Sequence, residues 1–284
     1  MMTALDSQPT LSTAELVLQG PEPHKVQLAF RDMGRGLALW RLWVRLGWND
    51  IVQRYRRSIL GPFWLTISTA IMVVALGFVY ATIFNMALAE FIPFLCVGLL
   101  IWGLVSSIIT EAGGLFTGSE SYIKQIRLPY SLYVYRFIWS KLIILAHHFV
   151  IYLGVLFYFL ISPGWDGLFA ILGLCLLIIN GAFATLYLGI VSARFRDIPQ
   201  IVASFIQVVF FITPIMWKPE LLKEHAYIAT LNPFYHLIEV VRAPLLGAVP
   251  SLTNYGVVAV VTMLNIALGF TFLTRYRVRI SYWI

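Results

Sequence analysis

FWLTISTAIMVVALGFVYATIFN, residues 63–85, holds no Asp, Glu, Lys or Arg. Each helical residue advances about 1.5 Å, so a bilayer core of about 30 Å needs about 20 of them. This stretch is long enough to cross. Working outward, five further runs meet the same test: 91–110, 137–161, 168–193, 198–217 and 255–274. Lys141 is the one Lys or Arg inside them, close enough to an end to reach the interface. Hydrophobic residues make up 60% of the 284 positions and charged ones 12%, against about 25% charged in a soluble domain. The composition excludes a soluble domain, and the expected fold is an all-α membrane protein with six transmembrane helices in one domain, 58–284.

Orientation follows from the basic residues, whose translocation is disfavoured. All but three of the 20 Lys and Arg residues, the exceptions being Lys218, Lys223 and Arg242, fall in the N-terminal region, the second-to-third connection with Lys141, the fourth-to-fifth connection and the C-terminal tail. Six crossings then put both termini in the cytoplasm. Residues 35–57 mix Leu37, Trp40, Trp43, Val44, Leu46, Trp48 and Ile51 with Arg41, Arg45, Arg54, Arg56 and Arg57. Such a helix lies in the headgroup plane or packs on a partner. The external connection 218–254 has two apolar stretches too short to span, 221–231 and 234–246, punctuated by Pro219, Pro233, Pro244 and Pro250. It reads as a re-entrant helical hairpin, or as a plain external loop. The extension 1–34 is polar and proline-bearing, without the pattern of a cleaved signal peptide.

The net charge of +7 flanks apolar runs and forms no continuous stripe, so lipid headgroups are the expected partner and nucleic acid is not. Cys96 and Cys175 sit inside apolar runs and read as packing residues. The sequence has no GxxxxGK[ST] phosphate loop and no carboxylate within a span, which leaves a transporter's energy to another subunit and no cofactor for this chain. His147 and His148 are neighbours, about 100° apart on a helix, and cannot easily share a metal. In the fifth run Gln200, Ser204, Gln207 and Phe211 are spaced by four, three and four, giving one polar face that ends in an aromatic. Thr66, Thr69, Gly77, Tyr80 and Phe84 repeat the pattern more weakly in the first run. These two faces could line a conduit on which sugar rings stack and slide; ordinary helix packing is the competing reading. Gly181, Thr185 and Gly189 recur every four residues and are assigned to packing.

Five motifs then follow in order: RYRRSILGPFW (54–64), SARFRDIPQIV (192–202), ITPIMW (212–217), LNPFYHLIEVVRAPLLG (231–247) and RYRVRISYWI (275–284). The ordered set resembles the permease subunits of ATP-binding-cassette exporters that move polysaccharides or polyol phosphates, of the O-antigen export type, and it covers residues 35–284. The resemblance implies a homodimer in a bacterial inner membrane, joined to two separate ATPase subunits that hold ATP and Mg, exporting a polyprenyl-linked glycan. It implies that Arg54, Arg56 and Arg57 in the interfacial helix, with Glu120, Tyr122, Lys124 and Arg127 in segment 119–129, contact the ATPase. The turn of Arg194, Arg196 and Asp197 is either a further coupling element or a helix-end cap. Asn232, Pro233, Glu239 and Arg242 would form the outer gate, with Glu239 and Arg242 three apart and able to pair. Alternatives within reach are an exporter of teichoic acid, capsule glycan, small lipid or drug. From another class, a membrane-embedded glycan-modifying enzyme would need His147 or His148 beside Glu111 and Glu239, which the expected topology sets on opposite faces.

Overall fold

A computed structural model describes residues 23–56, 61 and 63–284, which are helical with no strand among them. The helices are α1 (Pro23–Ala38), α2 (Trp40–Tyr55), α3 (Phe63–Ile83), α4 (Leu88–Glu111), α5 (Glu120–Gln125), α6 (Tyr130–Phe159), α7 (Phe169–Arg194), α8 (Ile198–Ile212), α9 (Tyr227–Thr230), α10 (Pro233–Leu245), α11 (Leu252–Tyr276) and α12 (Ile280–Trp283).

Among the described residues, five segments are long and apolar enough to cross a membrane: Phe63–Ile83, Leu88–Gly114, Tyr130–Phe159, Gly164–Arg194 and Leu252–Trp283. The expected fifth run, 198–217, is shorter than its hydropathy suggests, because α8 stops at Ile212 after 15 residues, about 22 Å of helix. Pro214 is the cause. A residue before proline is pushed out of the α region, and Thr213 is extended at φ −84, ψ 135. At the start of α6 the helix outruns its apolar stretch in the other direction, beginning at Tyr130 and not Phe137, because its first turn is held by side chains of α1 described below.

The α3–α4 connection is tight because Asn85 takes a left-handed conformation (φ 53), which Asn tolerates better than most residues. The Met86 N–H then reaches back to the Ala81 carbonyl at 2.9 Å, closing the end of α3. α4 is the central element. Phe91, Leu95, Cys96, Val97, Leu100 and Ile101 are all buried, and the helix is flanked by α3, α6, α7, α8 and α10. α7 packs along α11 and α10. In lipid that contact draws on dispersion and close approach, since lipid tails are as apolar as the side chains. Gly173 shows the need: a Cβ there would collide with the Val240 carbonyl of α10. The Gly181–Gly189 face lies against Ile108, Ile138, Leu115 and Phe116, as a packing face would. One polar tie crosses the middle. Asn180 Nδ2 donates to Thr262 Oγ1 at 2.7 Å, and Asn265 Nδ2 donates to Asn180 Oδ1 at 2.8 Å.

The two ends differ. α10 sits against the starts of α4, α7 and α11, while α1, α5 and α12 gather at the opposite, basic end.

Candidate functional site

α8 has two unlike sides. Ile206 and Val209 are buried, and Phe210 packs on Trp102 of α4 with ring centroids 5.7 Å apart. Gln200, Ser204, Gln207 and Phe211 are all exposed, Phe211 at 62%, together with Ile201, Phe205 and Val208. The polar stripe therefore faces away from the subunit's own bundle. Amide side chains in hydrocarbon without partners are costly, so such a face calls for water or a second protein surface. The α3 residues behave differently. Thr66 is turned inward and buried, Thr69 is half-buried, and Tyr80 packs on Phe84 (5.7 Å), which in turn packs on Phe91 of α4 (6.1 Å). α3 packs on α4 and α6, whereas α8 packs on α4 and α7.

At the opposite end from the basic cluster, Asn232 and Pro233 form the N-terminus of α10. The Asn232 side chain accepts from the Phe234 N–H at 2.9 Å and donates to Thr213 Oγ1 at 2.9 Å, and Pro233 occupies the first turn, where no N–H is needed. Glu239 and Arg242 do pair. Arg242 Nε and Nη2 donate to Glu239 Oε2 at 2.9 and 2.6 Å, Nη1 donates to the Pro214 carbonyl at 2.9 Å, and the guanidinium lies 3.9 Å from the Phe94 ring centroid. At 1% exposure this is the largest fully buried side chain described. It is no surface turn: it fastens α10 to α4 and to the chain just beyond α8. His236 adds a second buried tie, bridging Asn254 Oδ1 (2.7 Å) and the Thr230 carbonyl (2.8 Å). Phe94, Thr213, His236 and Asn254 were not singled out from sequence. Only Asn-Pro before an apolar run carried a local signal, that of a helix start.

At the basic end, Arg54 lies 3.6 Å from Glu111, which also pairs with the buried Lys141. Arg56 ends α2 and is exposed, whereas Arg57 lies outside the described residues. Arg136 of α6 grips Asp50 of α2, with Nε 2.7 Å from Oδ2, and its guanidinium lies 5.6 Å from the Tyr122 ring. A cavity of about 760 Å³ opens among Asp50, Arg54, Glu111, Ser119, Arg136 and Lys141. In α5, Lys124 donates to Glu120 at 2.6 Å. That hydrogen bond, then the lysine charge, holds the Glu120 carboxyl below its ordinary range. Arg127 and Lys124 border a second cavity, of about 730 Å³, with Arg31, Arg35 and Arg277.

The turn after α7 engages the C-terminus. Arg194 lies 5.8 Å from the Trp283 ring, and Arg196 Nη2 donates to the Trp283 carbonyl at 3.3 Å. Asp197 makes no side-chain cap bond; its carbonyl accepts from the N–H groups of Gln200 and Ile201. The coupling candidates thus fall into two neighbouring groups, Glu120–Arg127 with Arg194–Arg196 around α12, and Arg54 with Glu111. Asp32, in the extension for which the sequence assigned nothing, joins three elements. Its buried carboxylate accepts from the N–H groups of Tyr130 (3.2 Å) and Ser131 (3.0 Å) and from Arg277 Nε (3.0 Å). A carboxylate over the first N–H groups of α6 is a cap supplied from another helix, and it explains why α6 starts so early. Its partners lie 98 and 245 residues away, beyond the reach of local pattern.

Among the described residues no three His, Cys, Asp or Glu side chains come together as a metal site. His147 Nδ1 lies 2.7 Å from the Ile143 carbonyl of its own helix, and Glu111 and Glu239 sit at opposite ends of the bundle.

Among similar chains are two proteins of Klebsiella pneumoniae, each described as an O-antigen export system permease protein RfbA. Both are 24% identical over 196 residues, which span 67% of this chain and 74% of theirs. A Myxococcus xanthus protein of the same description is 23% identical over 208 residues, 69% of this chain and 77% of that one. A family model for ABC-2 type transporters matches residues 41–246, from the basic helix α2 through the buried Arg242 and to the end of α10. With its long apolar helices, the chain is a multi-pass membrane protein and belongs to the ABC-2 type transporter family, as a transport subunit that works with an ATP-binding subunit.

Proposed function

We propose that this chain is the permease subunit of an ATP-driven exporter that carries a polyprenyl-linked, O-antigen-like polysaccharide across the bacterial inner membrane, as a homodimer bound to two ATPase subunits holding ATP and Mg. The observation that carries the reading is the outward polar face of α8. Gln200, Ser204, Gln207 and Phe211 point away from the subunit's own core, and a second copy facing them would enclose a wet, aromatic-ended groove in which hydroxyl-rich rings slide without a tight charged site. The similarity to chains described as O-antigen export permeases supports the choice of cargo.

In this arrangement α8 is the fifth of six crossings, completed by the extended Thr213–Pro214 segment, and α10 belongs to a re-entrant hairpin over the outer mouth. Both termini lie in the cytoplasm, where the basic end belongs. α2 rests in the headgroup plane through Trp40, Arg41, Arg45 and Trp48, all exposed. α5, backed by α12 and by the Arg194–Arg196 turn, receives the ATPase, and closure of the ATPase pair moves the basic end while α8 and the hairpin, tied through Pro214 and Thr213, follow at the other. The test is deletion of the chain in its host, with assay of surface polysaccharide and of lipid-linked glycan inside the cell. Intracellular glycan that accumulates and is cleared by the intact chain supports export. Normal surface glycan without accumulation sinks it.

A further inference from the structure

The fold leaves three arginines of the basic end without a task. Arg31 and Arg35 of α1 and Arg127 beyond α5 are exposed, and their side chains meet no partner among the described residues. All three border the cavity of about 730 Å³ walled by α1, segment 123–130 and the turn at 277–281, where Lys124 and Arg277 join them. The one carboxylate on those walls, Asp32, is already engaged by Arg277 and by the start of α6. A cleft lined by one sign of charge focuses its field on whatever enters, and an anion relieves the mutual repulsion of its cations. Arginine forks suit phosphate oxygens, which they grip two at a time. The cavity opens away from lipid. Leu28, Arg31 and Arg35 follow the three- and four-residue spacing of one flank of α1, whereas Phe30, Met33 and Leu37 follow it on the opposite flank. Phe30 packs on Phe270 of α11 at 4.5 Å, and Phe30 and Leu37 are exposed, as residues turned to a bilayer would be.

We propose that this cavity binds a soluble phosphate ester of nucleotide size, its phosphates gripped by Arg31, Arg35 and Arg127 and its organic body set against the apolar part of the walls. That part is supplied by Leu28, Ile126, Leu128 and Val278. The volume, far more than a bare phosphate fills, falls in the range of roughly 300–1,000 Å³ typical of small-molecule sites. The site stands apart from the outward face of α8 and does not depend on the glycan assigned there.

The test is isothermal titration calorimetry of the full chain in detergent, with uridine diphosphate and inorganic pyrophosphate as probes. Saturable binding of one uridine diphosphate per subunit is expected, tighter than that of pyrophosphate. Arg31→Gln, Arg35→Gln and Arg127→Gln remove side chains that hold nothing in the fold. Each variant should keep its melting temperature and bind roughly tenfold more weakly, the lower end for a hydrogen bond to a charged group, since water reaches all three. Arg45→Gln, which removes an exposed cation outside the cavity walls, should bind as the wild type does. No saturable binding of either probe, or equal weakening in all four variants, overturns the site. Pyrophosphate binding as tightly as uridine diphosphate overturns the organic body, and displacement of the probe by phosphatidylglycerol in mixed micelles overturns the soluble source. Loss of the Arg35-dependent binding once the ATPase subunit is bound gives the cavity to acidic side chains of that partner and overturns the small ligand.

Discussion

Arg242 is where the seating of α10 is most exposed to a single change. Arg242→Ala removes two hydrogen bonds to Glu239, one to the Pro214 carbonyl and a guanidinium resting 3.9 Å above Phe94. It also leaves Glu239, whose side chain is 19% exposed, without its counter-charge. Breaking a buried ion pair from one side costs about 3–5 kcal/mol. The lower end applies here, since water can reach the carboxylate in part, while the lost cation–π contact adds about 1 kcal/mol. At about 2–4 °C per kcal/mol for large domains, the melting temperature of the purified protein should fall by on the order of 10 °C. Two further variants separate charge from volume. Arg242→Met keeps the apolar stem over Phe94 but still strands Glu239, and should lose less. Arg242→Met with Glu239→Gln strands nothing charged and should recover most of the loss, because apolar replacement of a buried pair is near neutral. The assay is thermal unfolding of all three in detergent, followed by fluorescence-detected size exclusion. Three equal shifts, or none above about 1 kcal/mol, would show that Arg242 is a passenger and that α10 is held by packing alone.

Phe211→Ala should impair export while co-purification with the ATPase stays intact; loss of co-purification would mean that the outward face of α8 is a packing surface. Asp32→Ala uncaps α6 and frees Arg277, and a cap is worth about 1 kcal/mol with each hydrogen bond to a charged group about 1.5–3. The expected result is a clear loss of thermal stability with faster proteolysis near residues 23–38, and unchanged proteolysis refutes it. Glu120 is held below the ordinary carboxylate range by Lys124, so its share of α5 order is present above its unfolded pKa and is lost only as pH falls through the lower folded value. ATPase stimulation by the permease should therefore be flat around neutrality in wild type and in Glu120→Gln alike, and a neutral-pH inflection that the variant abolishes would contradict this assignment.

The sequence by itself determined what depends on one-dimensional length and period. Uncharged runs of about 20 residues must be helices in lipid, because no other isolated segment satisfies its own backbone there. The i, i+3, i+4 spacing put Gln200, Ser204, Gln207 and Phe211 on one face and made the Glu239–Arg242 pair legible, since both are local on a helix. What local pattern could not give is which way a face turns. Thr66 carries the same hydroxyl as the residues expected beside it, yet points into the bundle, while the α8 stripe points out, and only the placement of α4 between them decides it. Hydropathy likewise overran the end of α8, because it averages over Pro214, whereas the backbone stops where an N–H is missing. The most consequential ties, Asp32 to Arg277, His236 to Asn254 and Arg242 to Phe94 and Pro214, join residues far apart in the chain. They exist because buried polar groups must find partners wherever the packed helices bring them, and that meeting is a property of the tertiary structure.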